Sequence, residues 1–217
     1  MIFILFPCRQ CSYILSEFSH LPIARYGKIL IELNEECGVT KNLVWMDLEM
    51  TGLDPATDLI IEIATIITDQ DLNIVEEGPV IAINQPEENL LSMDEWNQKH
   101  HRESGLVKRV QESRFSQIEA EAQTLDFIER HVEKNSSPLC GNTIWQDRRF
   151  LSIHMPNLEA YFHYRIIDVS SLKELAHLWK PEVLSSLSKE NKHTALSDVR
   201  ESISELKHYR QHFFDLK

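Results

Sequence analysis

The sequence is short of positive charge: 22 Lys and Arg stand against 34 Asp and Glu, a net of −12. A protein that grips long nucleic acid does so with a broad basic surface, so this balance excludes that class. It leaves room for a short anionic ligand held by metal ions and a few donors. Cysteine is scarce as well. Cys8, Cys11 and Cys37 lie near the N-terminus and only Cys140 lies in the body of the chain. That excludes a disulfide framework and points to a reducing compartment. Cys8-x-x-Cys11 has no second pair to complete a zinc site. No apolar run is long enough to span a membrane, so no membrane partner is expected. The N-terminal MIFILFPC is similar to a signal core but lacks a basic leader and is interrupted by Pro7, so the protein is expected in the cytoplasm. Internal repeats and low-complexity tracts are also missing. A chain of 217 residues suffices for one domain, or two, with a core that needs no disulfide staples.

What is present divides at about residue 41. Residues 1–41 show no clear amphipathic period, and KILIELNEECGV fits a helix or a strand equally. This segment is an extension without an assigned role or the product of an upstream start codon. From Leu43 the pattern sharpens. NLVWMDLEM, LIIEIATIITD and NIVEEGPVIAIN read as three strands, the third bent or at an edge because of Gly78-Pro79. A polar region follows. Ile118, Ala122, Leu125, Ile128 and Val132 then recur at helical spacing. PLCGNTI is a short strand ending near Gly141, and QDRRFLSIHMP opens a helix that Pro156 should end. YRIIDVSSLKELAHLWKP reads as a strand, then Ser170 as N-cap, then a helix. The last helix carries a stripe of Leu196, Val199, Ile203, Leu206 and Tyr209. The class is α/β, a sheet covered by helices.

Within the apolar first strand stand two acids, Asp47 and Glu49. Burying carboxylates is costly unless something compensates them. Alternate residues of a strand share a face, so the two project together, roughly 6–7 Å apart along the strand. They repel unless a cation sits between them or one stays protonated. Hard oxygen ligands of this kind suit Mg²⁺ or Mn²⁺. The bland alternative is a solvent-facing strand edge. Against it, Val44, Met46, Leu48 and Met50 mark one face as apolar, and Trp45 on the other face argues that this side is not simply open to water. Asp147 and Asp198 each open a helix, where an acid could merely complement the helix dipole. His193 precedes Asp198 by five residues, an offset that puts it off the same helical face and onto the loop or first turn ahead of it.

The order DLEMTGLDP, GNTIWQDRRFL, HYRIIDVSSLKEL, HTALSDVRES resembles the DEDDh family of 3′-to-5′ exonucleases, over residues 42–217. The resemblance implies a ribonuclease H-like fold, a mixed sheet flanked by helices, with residues 42–217 as the exonuclease domain. It implies two divalent cations, Mg²⁺ or Mn²⁺, held by Asp47, Glu49, Asp147 and Asp198, with His193 as general base. It also implies substrate contacts from Leu53, Trp96, His101, Asn142, Thr143, Tyr164, Arg165 and Ser170. Leu53 and Trp96 match positions that wedge or stack bases; core packing is the other reading of such large apolar side chains. His101, Tyr164, Arg165 and Ser170 match positions near the 5′ phosphate of a very short substrate, with Tyr164 reaching the partner's site in a homodimer. The expected activity is degradation of very short RNA, dinucleotides included, to 5′-mononucleotides. The alternative keeps the chemistry and broadens the substrate to longer RNA or DNA ends. The HYR segment at His163–Arg165 together with Trp96, and the acidic balance, favour the first. Thr143 and Trp145 depart from the family pattern, which has Ser at the first position and a small residue or His at the second.

Overall fold

The computed structural model describes residues 42–186 and 194–214. Cys8, Cys11, Cys37, the KILIELNEECGV segment and His193 lie outside the described residues. The first three strands form an antiparallel meander: β1 (Leu43–Met50), β2 (Ile60–Thr68) and β3 (Ile74–Ala82). Three short helices follow: α1 (Glu87–Leu91), α2 (Glu95–Glu103) and α3 (Leu106–Glu112). Next come α4 (Gln117–Glu129), β4 (Leu139–Gly141), α5 (Ile144–His154), α6 (Pro156–Glu159) and β5 (Ile166–Asp168). The chain closes with α7 (Val169–Trp179), a 3₁₀ turn (Pro181–Ser186) and α8 (Ala195–His212). The sheet order is β3-β2-β1-β4-β5, with β4 parallel to β1 and β5 parallel to β4. It is a mixed sheet flanked by helices.

The strand β1 is central and covered on both sides. Val44, Met46 and Leu48 enter one core with Phe127 of α4 and Phe150 of α5. Trp45 enters the opposite core with Val199, Ile203 and Tyr209 of α8, and its indole donates to Thr68 Oγ1 at 2.9 Å. Each fully buried large apolar side chain contributes ~1.5–3 kcal/mol, so this double packing can offset the cost of acids further along the strand. At Gly141 a Cβ would stand 2.7 Å from the Met46 carbonyl oxygen. Only glycine lets β4 come this close, and that approach brings the start of α5 beside β1.

Several local expectations change. The polar region after β3 folds into α1–α3 around Ile61, Leu90, Met93, Leu106 and Val110. In α4 the buried stripe is Ala120, Glu121, Thr124, Phe127 and Ile128, while Ile118 is exposed. Glu121 is buried because it accepts from the Asn157 and Leu158 amides at 2.7 and 3.0 Å, satisfying donors at the start of α6. Pro156 does more than end α5, because it starts α6. Ser170 does not cap α7. Asp168 does, accepting from the Ser170 amide.

Candidate active site

Asp47 and Glu49 follow Trp45 on one face of β1, where the α8 core gives out. Asp198 lies in the first turn of α8. Ligand oxygens of Asp47, Glu49 and Asp198 all lie within 4.8 Å of one another. Asp147 comes from the first turn of α5 and is buried, with Oδ1 accepting from the Leu48 amide at 2.9 Å. That bond fastens the fourth carboxyl to the backbone between the first two.

The electrostatics show the strain of this gathering. Burial, and then repulsion from Asp147, Glu49 and Asp198, holds the Asp47 carboxyl well above the usual carboxylate range. Burial and repulsion from Asp198, Glu62 and Asp147 push Glu49 up to about 8. Burial raises Asp147 to about 7, against the pull of its backbone hydrogen bonds. Carboxylates held this way prefer a proton or a cation. An all-oxygen set of this kind fits a hard divalent cation, and Asp47, Glu49 and Asp198 are grouped closely enough to hold one, with Asp147 beside β1.

The other expected residues fall into separate groups. His101 is buried beneath Glu49: its Nε2 donates to the Met50 carbonyl at 3.0 Å and its Nδ1 lies 3.9 Å from Glu49 Oε2. Burial lowers its pKa, which favours the neutral ring. Leu53 is 75 % exposed and Trp96 63 % exposed, so neither packs in the core. Trp96 stacks on His100 with centroids 3.8 Å apart. Tyr164 is 73 % exposed, with the Arg165 guanidinium 5.3 Å from its ring centre. Thr143 sits in the left-handed region at φ 54°. Its amide donates to Asp168 Oδ1 at 2.9 Å and to Ser170 Oγ at 3.0 Å, which joins the expected Thr143 and Ser170 in one cluster. Asn142 turns the other way, donating to Ser202 Oγ at 2.9 Å and Glu205 Oε2 at 3.3 Å in α8. Trp145 is exposed, with the Arg149 guanidinium 5.7 Å from its ring centre.

Three further residues shape the site. Gln146 Nε2 donates to the Leu53 carbonyl at 2.6 Å, tying the Leu53 loop to α5. Arg148 donates to the His163 carbonyl at 2.9 Å and pairs with Glu159 at 2.8 Å, bracing the turn that carries Tyr164 and Arg165. Glu62 lies opposite Glu49 in the β1–β2 register. An acid inside the run IIEIATIIT is the same signal that marked Asp47 and Glu49, and could have found it. The partners of Gln146 and Arg148 are set by tertiary contacts and leave no local trace.

Residues 44–206 match the RNase T exonuclease family. Among solved structures the chain is similar to exonuclease I of E. coli in complex with a dT13 oligonucleotide, with a TM-score of 0.59 and 16% identity over 80% of this chain and 42% of that one. The chain thus spans about two fifths of that protein's length, and at this identity the likeness speaks for the fold. Fold and family together define a nuclease of the ribonuclease H-like exonuclease class. The chain is 65% identical over 176 residues to the oligoribonuclease of Pseudomonas aeruginosa strain PAO1, covering 81% of this chain and 98% of that protein. It is 60% identical over 174 residues to the oligoribonuclease of Alcanivorax borkumensis strain SK2, covering 80% and 96%. The chain belongs to the oligoribonuclease family.

Proposed function

We propose that this protein is a metal-dependent 3′-to-5′ exoribonuclease that degrades very short RNA, dinucleotides included, to 5′-mononucleotides. The observation that carries the reading is the convergence of Asp47, Glu49 and Asp198 within 4.8 Å, with Asp147 fastened alongside. Family membership supplies the substrate class. Residues 42–217 form the exonuclease domain in this reading.

Asp47, Glu49, Asp147 and Asp198 would hold two Mg²⁺ or Mn²⁺ ions. When bound, such ions stabilise charge on the phosphate oxygens and make a water more acidic. His193, placed by the sequence just ahead of α8, takes the proton from the attacking water, a task suited to an imidazole that titrates near working pH. The water oxygen bonds to phosphorus, the bond to the 3′ oxygen of the preceding nucleotide breaks, and that oxygen leaves as a hydroxyl on taking a proton from solvent, while His193 returns its proton to solvent. Exposed Leu53 and Trp96 offer apolar faces to bases, worth ~1–3 kcal/mol per stacked base and tolerant of sequence. Arg165 offers a forked donor to a 5′ phosphate. His101 and Ser170 serve the same phosphate, and Thr143 adds a hydroxyl beside Ser170. Asn142, tied to α8 through Ser202 and Glu205, adds a substrate contact at the end of β4. Tyr164, outward on its turn, serves the site of a second copy in a homodimer. A cap of this kind limits substrate length and fits a chain of net charge −12. Among the described residues no helix is long and apolar enough to cross a membrane. The scarcity of cysteine fits a reducing compartment, and on that ground we place the enzyme in the cytoplasm.

The direct test of the site is Asp47→Ala. Turnover of a labelled dinucleotide in Mg²⁺ or Mn²⁺ should vanish while circular dichroism and the elution volume stay those of wild type. Retained turnover would remove the four acids from the chemistry.

A further inference from the structure

Behind Glu49 stands a carboxylate that the chemistry above does not use. Glu62 is paired with Glu49 across β1 and β2, so both side chains leave the sheet on one face. The Glu62 side chain is 1% exposed. Arg109 of α3 donates from Nε and Nη2 to the same oxygen, Oε1, at 3.1 and 2.8 Å. Its remaining nitrogen, Nη1, donates to the Ser104 carbonyl at 3.0 Å. Glu62 Oε2 is buried with no hydrogen-bond partner among the described residues.

Two acids directly across a strand pair destabilise each other, so Glu62 needs a compensating use. Arg109 provides the clue. Its guanidinium is paired with Glu62, the residue that stands directly across the strand pair from Glu49. A guanidinium bound to Glu49 would occupy the carboxylate lone pairs that a hard cation needs. Glu62 and Ser104 between them engage all three guanidinium nitrogens and hold the group to one side.

We propose that Glu62 is a positioning residue that keeps Arg109 off Glu49, leaving the Glu49 carboxylate open to a divalent cation. The inference rests on reading Asp47, Glu49 and Asp198 as a cation site. When Glu62 loses its charge, Arg109 turns to Glu49 and competes with the cation. When Arg109 loses its charge too, the competition ends.

The test is Mn²⁺ binding to the full chain by titration calorimetry, with no substrate present. Glu62→Gln should weaken Mn²⁺ by about 10–100-fold, the usual effect of losing a group that supports a metal ligand. Glu62→Gln combined with Arg109→Gln should return affinity to within about threefold of wild type, a coupling expected of residues in contact. A purely structural role would lower the melting temperature and leave Mn²⁺ affinity alone. Wild-type affinity in Glu62→Gln, or a double variant no tighter than the single one, overturns the proposal. Should Glu62→Gln fail to fold, the double variant, with neither charge present, decides alone: near-wild-type affinity upholds the proposal and a tenfold loss, on the order of that above, overturns it. Asp47→Asn serves as the control. If it binds Mn²⁺ as wild type does, the cation site itself is misplaced and the role of Glu62 falls with it.

Discussion

In metal-free protein the acids should work against the fold, and Glu49→Gln should make that visible. Glu49 sits at about 8, against 4.5 for the free side chain. A raised folded-state pKa means that the folded protein holds this proton more tightly than the unfolded chain does. The associated stability is therefore fully present below pH 4.5 and is lost as pH rises to about 8. At ~1.36 kcal/mol per pH unit the loss amounts to roughly 5 kcal/mol. Part of that rise is repulsion from Asp198, Glu62 and Asp147, which fades when any of them takes up a proton, so the part assignable to Glu49 is about 2–3 kcal/mol. For a chain of this size each kcal/mol moves the melting temperature by about 2–4 °C, which predicts a shift of roughly 5–10 °C. The assay is a thermal melt in chelator at pH 5 and pH 9. At pH 5 wild type carries a protonated Glu49, and the isosteric Gln should match it closely. At pH 9 the variant should melt higher. Mn²⁺ at pH 9 should then raise wild type and do little for the variant. A variant that melts at or below wild type at pH 9 in chelator would refute the reasoning.

Three other outcomes follow from the proposed function and the fold. His193→Ala should lower the rate of dinucleotide cleavage by ~10²–10⁴-fold, the usual share of a general base, with little change in substrate binding measured in Ca²⁺. Arg165→Ala should weaken the preference for a 5′-phosphorylated dinucleotide over longer chains; an unchanged ratio in competition assays would remove Arg165 from the cap. Gly141→Ala drives a Cβ to 2.7 Å from the Met46 carbonyl oxygen. Backbone cannot yield there cheaply, so a loss of about 2 kcal/mol or more is expected in urea unfolding.

Much of this site was legible because its acids sit where local rules expose them. Asp47 and Glu49 break an apolar strand at period two, and Asp147 and Asp198 open helices. What was missed belongs to contacts distant in sequence. Arg109 meets Glu62 across 47 residues, and Asn142 meets Glu205 across 63. The helices α1–α3 escaped notice because each is short: the longest spans nine residues and buries only His101. In α4 the stripe shifted because a buried acid, Glu121, serves α6, a use that hydrophobic spacing cannot show. The N-cap of α7 moved from Ser170 to Asp168 because the same carboxylate also receives the Thr143 amide.

The central claim concerns substrate length, and a time course addresses it most directly. RNAs of two, three, five and ten nucleotides, labelled at the 5′ end, are incubated with Mg²⁺ or Mn²⁺ and with chelator. A short-RNA exonuclease clears the dinucleotide quickly, cuts the ten-nucleotide chain slowly and does neither in chelator. Equal or faster cutting of the ten-nucleotide chain would contradict the account and assign the same metal site to a broader exonuclease.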